Sequence, residues 1–412
     1  VLAHNYDQTL ALTLTQAAAA ADLDSQERFI ERLENAGKLV RAVEGLPSAE
    51  DIRSLREAHL GLTRPELAKL IAYAKIDLFD GLVDSAVPDD PHFTATLTAY
   101  FPPQLGVYGA QMERHRLRRE IIATRLADAL INFGGPTFID RVRDTVRADP
   151  VQVAAAFEAA RAIYRLDALA DRINALDAKI PAAAQTALHL EISAALRRIV
   201  AYLARRAGPT GHALAIGPTI AAYQAAVDAQ LADADACLTA RELESCDARR
   251  AAFEAAGAPG DLAHDVALLP VMMAALDVAD LAAKSGWPVR AAAQLYRAVG
   301  AAFGLDRLRR AAADFKLTEH WDRLAVRRAV EEIYEDQRAL AEAAIEATGS
   351  APSVDDKAWA EAAAKTWMDG LGAQAALARS TFAELDGQGA WTFAKLMIAA
   401  AEFNGLAKAV RA

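Results

Sequence analysis

The chain is short of cysteine, of aromatic residues and of positive charge, and each shortage closes off a class of protein. Two cysteines among 412 residues, Cys237 and Cys246, cannot build a disulfide framework. On one continuous helix their spacing puts them about 13 Å apart along the axis, beyond the reach of a bridge. Both are read as free thiols in a reducing compartment. Lys and Arg total 45 against 55 Asp and Glu, a formal net charge of −10. Broad binding to nucleic acid or to an anionic membrane needs a basic surface, so neither is expected as a partner. The longest apolar run, Val266 to Leu276, has 11 residues and contains Pro270, too short to span a bilayer. No charged segment followed by an apolar stretch marks a secretion signal, and a cytoplasmic location is expected. The first residue is Val1 rather than Met, which reads as a piece of a longer protein.

Glycine (22) and proline (15) are sparse and sit mostly in clusters between periodic runs. The chain is 53% hydrophobic but only 7% aromatic, and alanine is its commonest residue. Alanine is the best helix former and lets helices approach closely. Helical spacing runs nearly throughout. Among the expected helices are 25–43, 64–83, 104–132, 181–206, 217–256, 261–284, 319–347, 354–383 and 388–409. Period-2 alternation flanked by turn residues is confined to fragments such as His92 to Leu97. The expected fold class is therefore all-α, a multi-helix bundle or array with no Rossmann sheet. Gly208-Pro209-Thr210-Gly211 is the clearest mid-chain loop. It suggests two packed helical subdomains, 1–207 and 208–412, with a soft boundary at 207–217.

Candidate chemistry is thin. Gly370-Leu371-Gly372-Ala373-Gln374-Ala375 fits G-x-G-x-x-A, but a dinucleotide fingerprint needs a buried strand before it. The preceding AWAEAAAKTWMD is helical, so a break between two helices is the better reading. Asp261 and His264 share a helix face at i, i+3, yet a metal site in a bundle needs several such pairs. Basic clusters stand at Arg114–Arg119, inside the expected 104–132 helix, at Arg307–Arg310 and at Arg205-Arg206. They read as solvated faces or salt-bridge patches, or more sharply as docking points for an acidic partner surface. The five tryptophans (287, 321, 359, 367 and 391) all fall in the C-terminal third. Trp359 and Trp367 lie near one helix face, with core packing as the default and an interface anchor as the alternative.

The most telling stretch is Leu62 to Leu78, LTRPELAKLIAYAKIDL. Thr63 and Glu66 form a T-x-x-E capping box with Pro65 in the first turn, and Leu67, Leu70, Ile71, Ala74 and Leu78 follow at helical spacing. As a string it resembles the C-terminal helical region of the large NAD-specific glutamate dehydrogenases of bacteria. So do VLAHNYDQTL at residues 1 to 10, HRLRREIIATRLADALINFGGPTFIDRV at 115 to 142, LDAKIPAAAQTALHLEI at 176 to 192, and HDVALLPVMMAALDVADLAAKSGW at 264 to 287. These segments occur in order and cover most of the chain to about residue 340. The last 70 residues are more generic.

The resemblance implies a parent enzyme that oxidatively deaminates L-glutamate to 2-oxoglutarate and ammonia while reducing NAD⁺. It also implies that the catalytic lysines, the aspartate and the glycine-rich NAD loop precede Val1. No catalytic, cofactor-binding or metal residue is therefore assigned to this chain. NAD belongs to the parent enzyme, the catalytic core of the same polypeptide is the implied partner, and a homo-oligomer is implied for the whole. The segment is expected to be structural or regulatory and inactive alone. The competing readings are a stand-alone helical protein-binding scaffold and a module that senses a small ligand between the two halves.

Overall fold

In the computed structural model, residues 2–207, 214–317, 319–352 and 356–411 are described, the side chains of residues 2–4 aside. They form twenty-three α-helices and three short 3₁₀ helices, with no strand among the described residues. The Gly208-Pro209-Thr210-Gly211 loop lies outside them. The chain divides into two compact units: residues 1–222 with 256–258, and residues 223–255 with 259–412.

Each unit is built around one alanine-rich helix buried on all sides. In the first, Pro150–Ile163 buries every residue from Gln152 to Ala160. It packs against Arg64–Val83, Arg118–Gly134, Phe138–Thr145, Leu166–Asn174 and Ala182–Arg206. In the second, Val289–Ala302 buries every residue from Ala291 to Gly300. Its neighbours are Ala234–Cys237, Ala275–Ser285, Leu305–Ala313, His320–Thr348 and Lys357–Gly370. Small side chains make this possible, because a helix ringed by neighbours on all sides needs a thin profile. Ala154 to Ala156 and Ala291 to Ala293 are all fully inaccessible.

Local sequence sets the helix starts. The Thr63 amide donates to the Glu66 carboxylate at 2.6 Å, and Pro65 occupies the first turn of Arg64–Val83. Leu67, Leu70, Ile71, Ala74 and Leu78 form its buried face, as their spacing predicts. Asp149 and Gln152 close an equivalent box on the central helix of the first unit.

Five of the expected helices named above are broken, the first being 25–43, which ends at Asn35 and resumes only in Arg41–Glu44. Residues 104–132 become Pro103–Tyr108, Gly109–Glu113 and Arg118–Gly134. Residues 217–256 become Ile216–Ala232, Ala234–Cys237 and Ala240–Ala255. Residues 261–284 split into Gly260–Met272 and Ala275–Ser285, bent by 63°. Pro270 lies just before that break, where its missing N–H weakens the last turn. Residues 354–383 divide at Gly372, whose φ of +62° suits glycine. No single helix among the described residues is long and apolar enough to cross a membrane.

Candidate functional site

The candidates from sequence fall into structural roles. Gly370 ends one helix and Gly372 starts the next, so the G-x-G-x-x-A string is a break between Lys357–Gly370 and Ala373–Gly387. Asp261 stands in the first turn of Gly260–Met272, with His264 half-buried on the same helix. No group of three His, Cys, Asp or Glu among the described residues could hold a metal ion.

The 114–119 cluster is not in mid-helix, because Arg114 to Leu117 form the turn between two helices. Arg119 donates to the Val83 carbonyl at 2.7 Å and the Ser85 carbonyl at 2.5 Å, and it pairs with Asp89. Arg118 donates to the Pro88 carbonyl at 2.5 Å. Arg119 therefore closes the C-terminal end of Arg64–Val83, where unsatisfied carbonyls carry partial negative charge, and Arg118 holds the short helix Val87–Asp89 that follows. Trp287 is buried and meets Trp359 in a tilted contact at 5.8 Å, and Trp367 meets Phe303 at 6.3 Å. Only Trp321, 73% exposed, stands outside the core. Cys237 and Cys246 are buried free thiols on two different helices. Burial pushes the Cys246 thiol up to about 11, so it stays protonated and is no nucleophile.

Two features emerge that the sequence did not single out: each central helix carries one buried charge. In the first unit this is Glu158. Arg161, one turn along, binds it at 2.7 and 2.9 Å, and His92 Nε2 lies 2.9 Å from the other side. Burial opposes ionisation of Glu158, but the His92 hydrogen bond and the Arg161 charge outweigh it and hold the carboxyl below the usual range. The group lines a cleft of about 540 Å³ that also holds His189. Burial depresses His189 to about 4, and it sits 3.0 Å from the Asn174 side-chain oxygen. Every oxygen of Glu158 is engaged, which makes this a structural ion pair.

In the second unit the buried charge is Arg297, whose side chain is 3% exposed. It donates to Glu242 at 2.5 Å and to the Val271 carbonyl at 3.2 Å. Glu242 is fixed by its own helix start: the Thr239 amide and hydroxyl both donate to its carboxylate at 3.0 Å. Burial opposes ionisation there too, and Arg297 with the Thr239 amide overcomes it, so Glu242 is held below its ordinary range.

Arg297 and Glu242 line a cavity of about 240 Å³ with Arg249, Asp306, Arg309 and Arg310. Gly304 at φ +72° starts the helix that carries the last three, and a Cβ there would sit 2.5 Å from Phe382. Arg309 donates to Gln337 Oε1 at 2.5 Å and lies 4.4 Å over the Tyr334 ring. Gln337 is held in turn by the Tyr296 carbonyl at 2.9 Å. It packs over Gly300, where a Cβ would meet its amide at 2.4 Å. Four guanidinium groups against two carboxylates give this cavity a positive lining.

One signal for this cleft was present in the sequence. Thr239-Ala-Arg-Glu242 is a T-x-x-E box like 63–66, and it marks a helix start inside the run taken as continuous from 217 to 256. Nothing local marks Arg297 as buried.

Comparison with known proteins points to one family. The family described as "Glutamate dehydrogenase, C-terminal" matches residues 59–405. An NAD-specific glutamate dehydrogenase of Halomonas elongata is 33% identical over 325 residues, covering 78% of this chain and 20% of the relative. A protein of the same description from Pseudomonas aeruginosa is 33% identical over 348 residues, covering 82% and 21%. One from Mycobacterium tuberculosis is 28% identical over 410 residues, covering 99% and 24%. The chain thus spans between a fifth and a quarter of the length of these relatives. With the family match running from residue 59 to residue 405, the chain belongs to the family of glutamate dehydrogenase C-terminal regions.

Proposed function

We propose that this chain is the C-terminal helical portion of an NAD-dependent glutamate dehydrogenase and takes no part in the chemical step. The reaction proposed for the whole enzyme is oxidative deamination of L-glutamate to 2-oxoglutarate and ammonia, with NAD⁺ as the oxidant bound outside this chain. Its partners are then the catalytic portion of the same polypeptide and further copies in a homo-oligomer. The segment packs against that catalytic portion and limits or couples its domain closure.

The observation that carries this reading is the family match over residues 59–405, which lies on a helical mass whose two central helices each hold their buried charge in an ion pair. Glu158 is bound by Arg161 and His92, Glu242 by Arg297 and Thr239, and the Cys246 thiol is kept neutral. None of them is poised as a general base or nucleophile. The test is to incubate the purified chain with L-glutamate and NAD⁺ and follow NADH absorbance. No rate above the blank is expected, and turnover by clean chain would refute the reading. A ligand-responsive role is favoured by one observation, the positively lined cavity inside the second unit.

A further inference from the structure

We propose that the cavity between Glu242, Arg297, Asp306 and Arg309 is a binding site for a phosphate group that still carries a proton. This goes beyond the assignment to a glutamate dehydrogenase and does not depend on it.

Three observations converge. First, the lining is cationic in excess, with Arg249, Arg297, Arg309 and Arg310 around one cavity of about 240 Å³ against Glu242 and Asp306. A cavity of that size suits a compact anion, and guanidinium groups match phosphate oxygens with paired donors. Second, two of the cations have hydrogen-bonding capacity left over. Arg309 is held by neutral groups, the Gln337 amide oxygen and the face of Tyr334. Arg297, although nine-tenths buried and more, has an Nε with no partner. A buried donor left unsatisfied is costly, and an acceptor placed in the cavity relieves that cost. Third, the cavity contains one orphan of the opposite kind. Asp306 makes only a long contact to Arg310, 3.6 Å through Oδ2, and its Oδ1 is buried without a partner.

An oxyanion bearing no proton would meet repulsion at Asp306 Oδ1. Hydrogen phosphate offers a P–O–H donor to that oxygen while its remaining oxygens accept from the guanidinium groups. Sulfate has the same shape and charge but no proton at neutral pH, so Asp306 selects between the two. Gln337 acts as a positioning residue: wedged over Gly300 and bonded to the Tyr296 carbonyl, it aims Arg309.

The experiment is isothermal titration of the purified chain with inorganic phosphate and with sulfate, at constant ionic strength in chloride. A small phosphomonoester forms a third arm. Phosphate is expected to bind saturably at one site, with sulfate at least tenfold weaker. Binding of the phosphomonoester at comparable strength means that the phosphate of a larger metabolite is accommodated. Its exclusion means that the site takes free phosphate. Arg309→Gln should weaken phosphate at least tenfold. Asp306→Asn should narrow the gap between phosphate and sulfate, because an amide N–H donates to either. Arg310→Gln, at a half-exposed position, serves as the variant least exposed to misfolding and should also weaken phosphate, and circular dichroism verifies the fold of each variant. Absence of phosphate binding, equal binding of sulfate by the wild-type chain, or wild-type affinity in folded Arg309→Gln would each overturn the proposal.

Discussion

Asp336→Asn should change how the stability of the second unit depends on pH. Asp336 lies on His320–Thr348, is 3% exposed, and faces Phe393–Arg411 through Asn404, whose side-chain amide donates to it at 3.2 Å. Its second oxygen is buried without a partner. Burial is the chief cause that lifts its pKa from 3.8 to about 7; Glu332 and Glu335 add to it, while Asn404 and Arg411 oppose it.

The folded chain therefore holds a proton that the unfolded chain releases. Below the unfolded value both states are protonated, and the full stability is present. As pH rises towards the folded value, stability falls by about 1.4 kcal/mol per unit, and above it no further loss occurs. The whole window amounts to about 4 kcal/mol. An asparagine resembles the protonated acid and does not titrate, so the variant should lack this slope. Urea unfolding between about pH 5 and about pH 8, read by tryptophan fluorescence, measures it directly. All five tryptophans belong to the second unit, so the signal reports the unit that contains Asp336. The gap in stability between variant and wild type should widen with pH. Parallel curves across that range would show that Asp336 is ionised in the folded state and would refute the reasoning.

Other substitutions test the packing. Glu158→Gln removes the charge that balances Arg161 in the first unit and should cost about 3 kcal/mol, seen as an earlier helical unfolding transition by circular dichroism. Gly304→Ala places a Cβ at φ +72° and 2.5 Å from Phe382, and a loss of about 1–3 kcal/mol in the fluorescence-detected transition is expected. An unchanged midpoint would mean that the helix start at Leu305 does not need glycine. Thr63→Ala opens the capping box of Arg64–Val83 and should cost about 1 kcal/mol, whereas Thr63→Ser should cost much less.

Much of the fold was legible because helices leave local marks. The T-x-x-E box at 63–66 and the apolar spacing through Leu78 located a helix and its start from neighbours alone. The broken helices were less legible. Where two helices follow each other after one or two residues, as at Asp233 or Gly372, the apolar periodicity carries on across the break. Only a cap residue or a positive φ reveals it, and the 239–242 box shows that such a signal is easily passed over inside an alanine-rich run.

The sequence by itself determined the secondary structure class, most helix starts, and the family resemblance. It did so because capping, proline and glycine effects, and helix propensity act over a few residues. The tertiary structure alone decided which helices are central and which charges are buried. Arg290 and Arg297 lie two turns apart on nearly one face of Val289–Ala302, yet the side chain of Arg290 is 45% exposed and that of Arg297 is 3%. Periodicity cannot separate them. What separates them is the arrival of Glu242 from a helix some fifty residues earlier in the chain, together with the Val271 carbonyl, and only with these in place can a guanidinium be kept away from water.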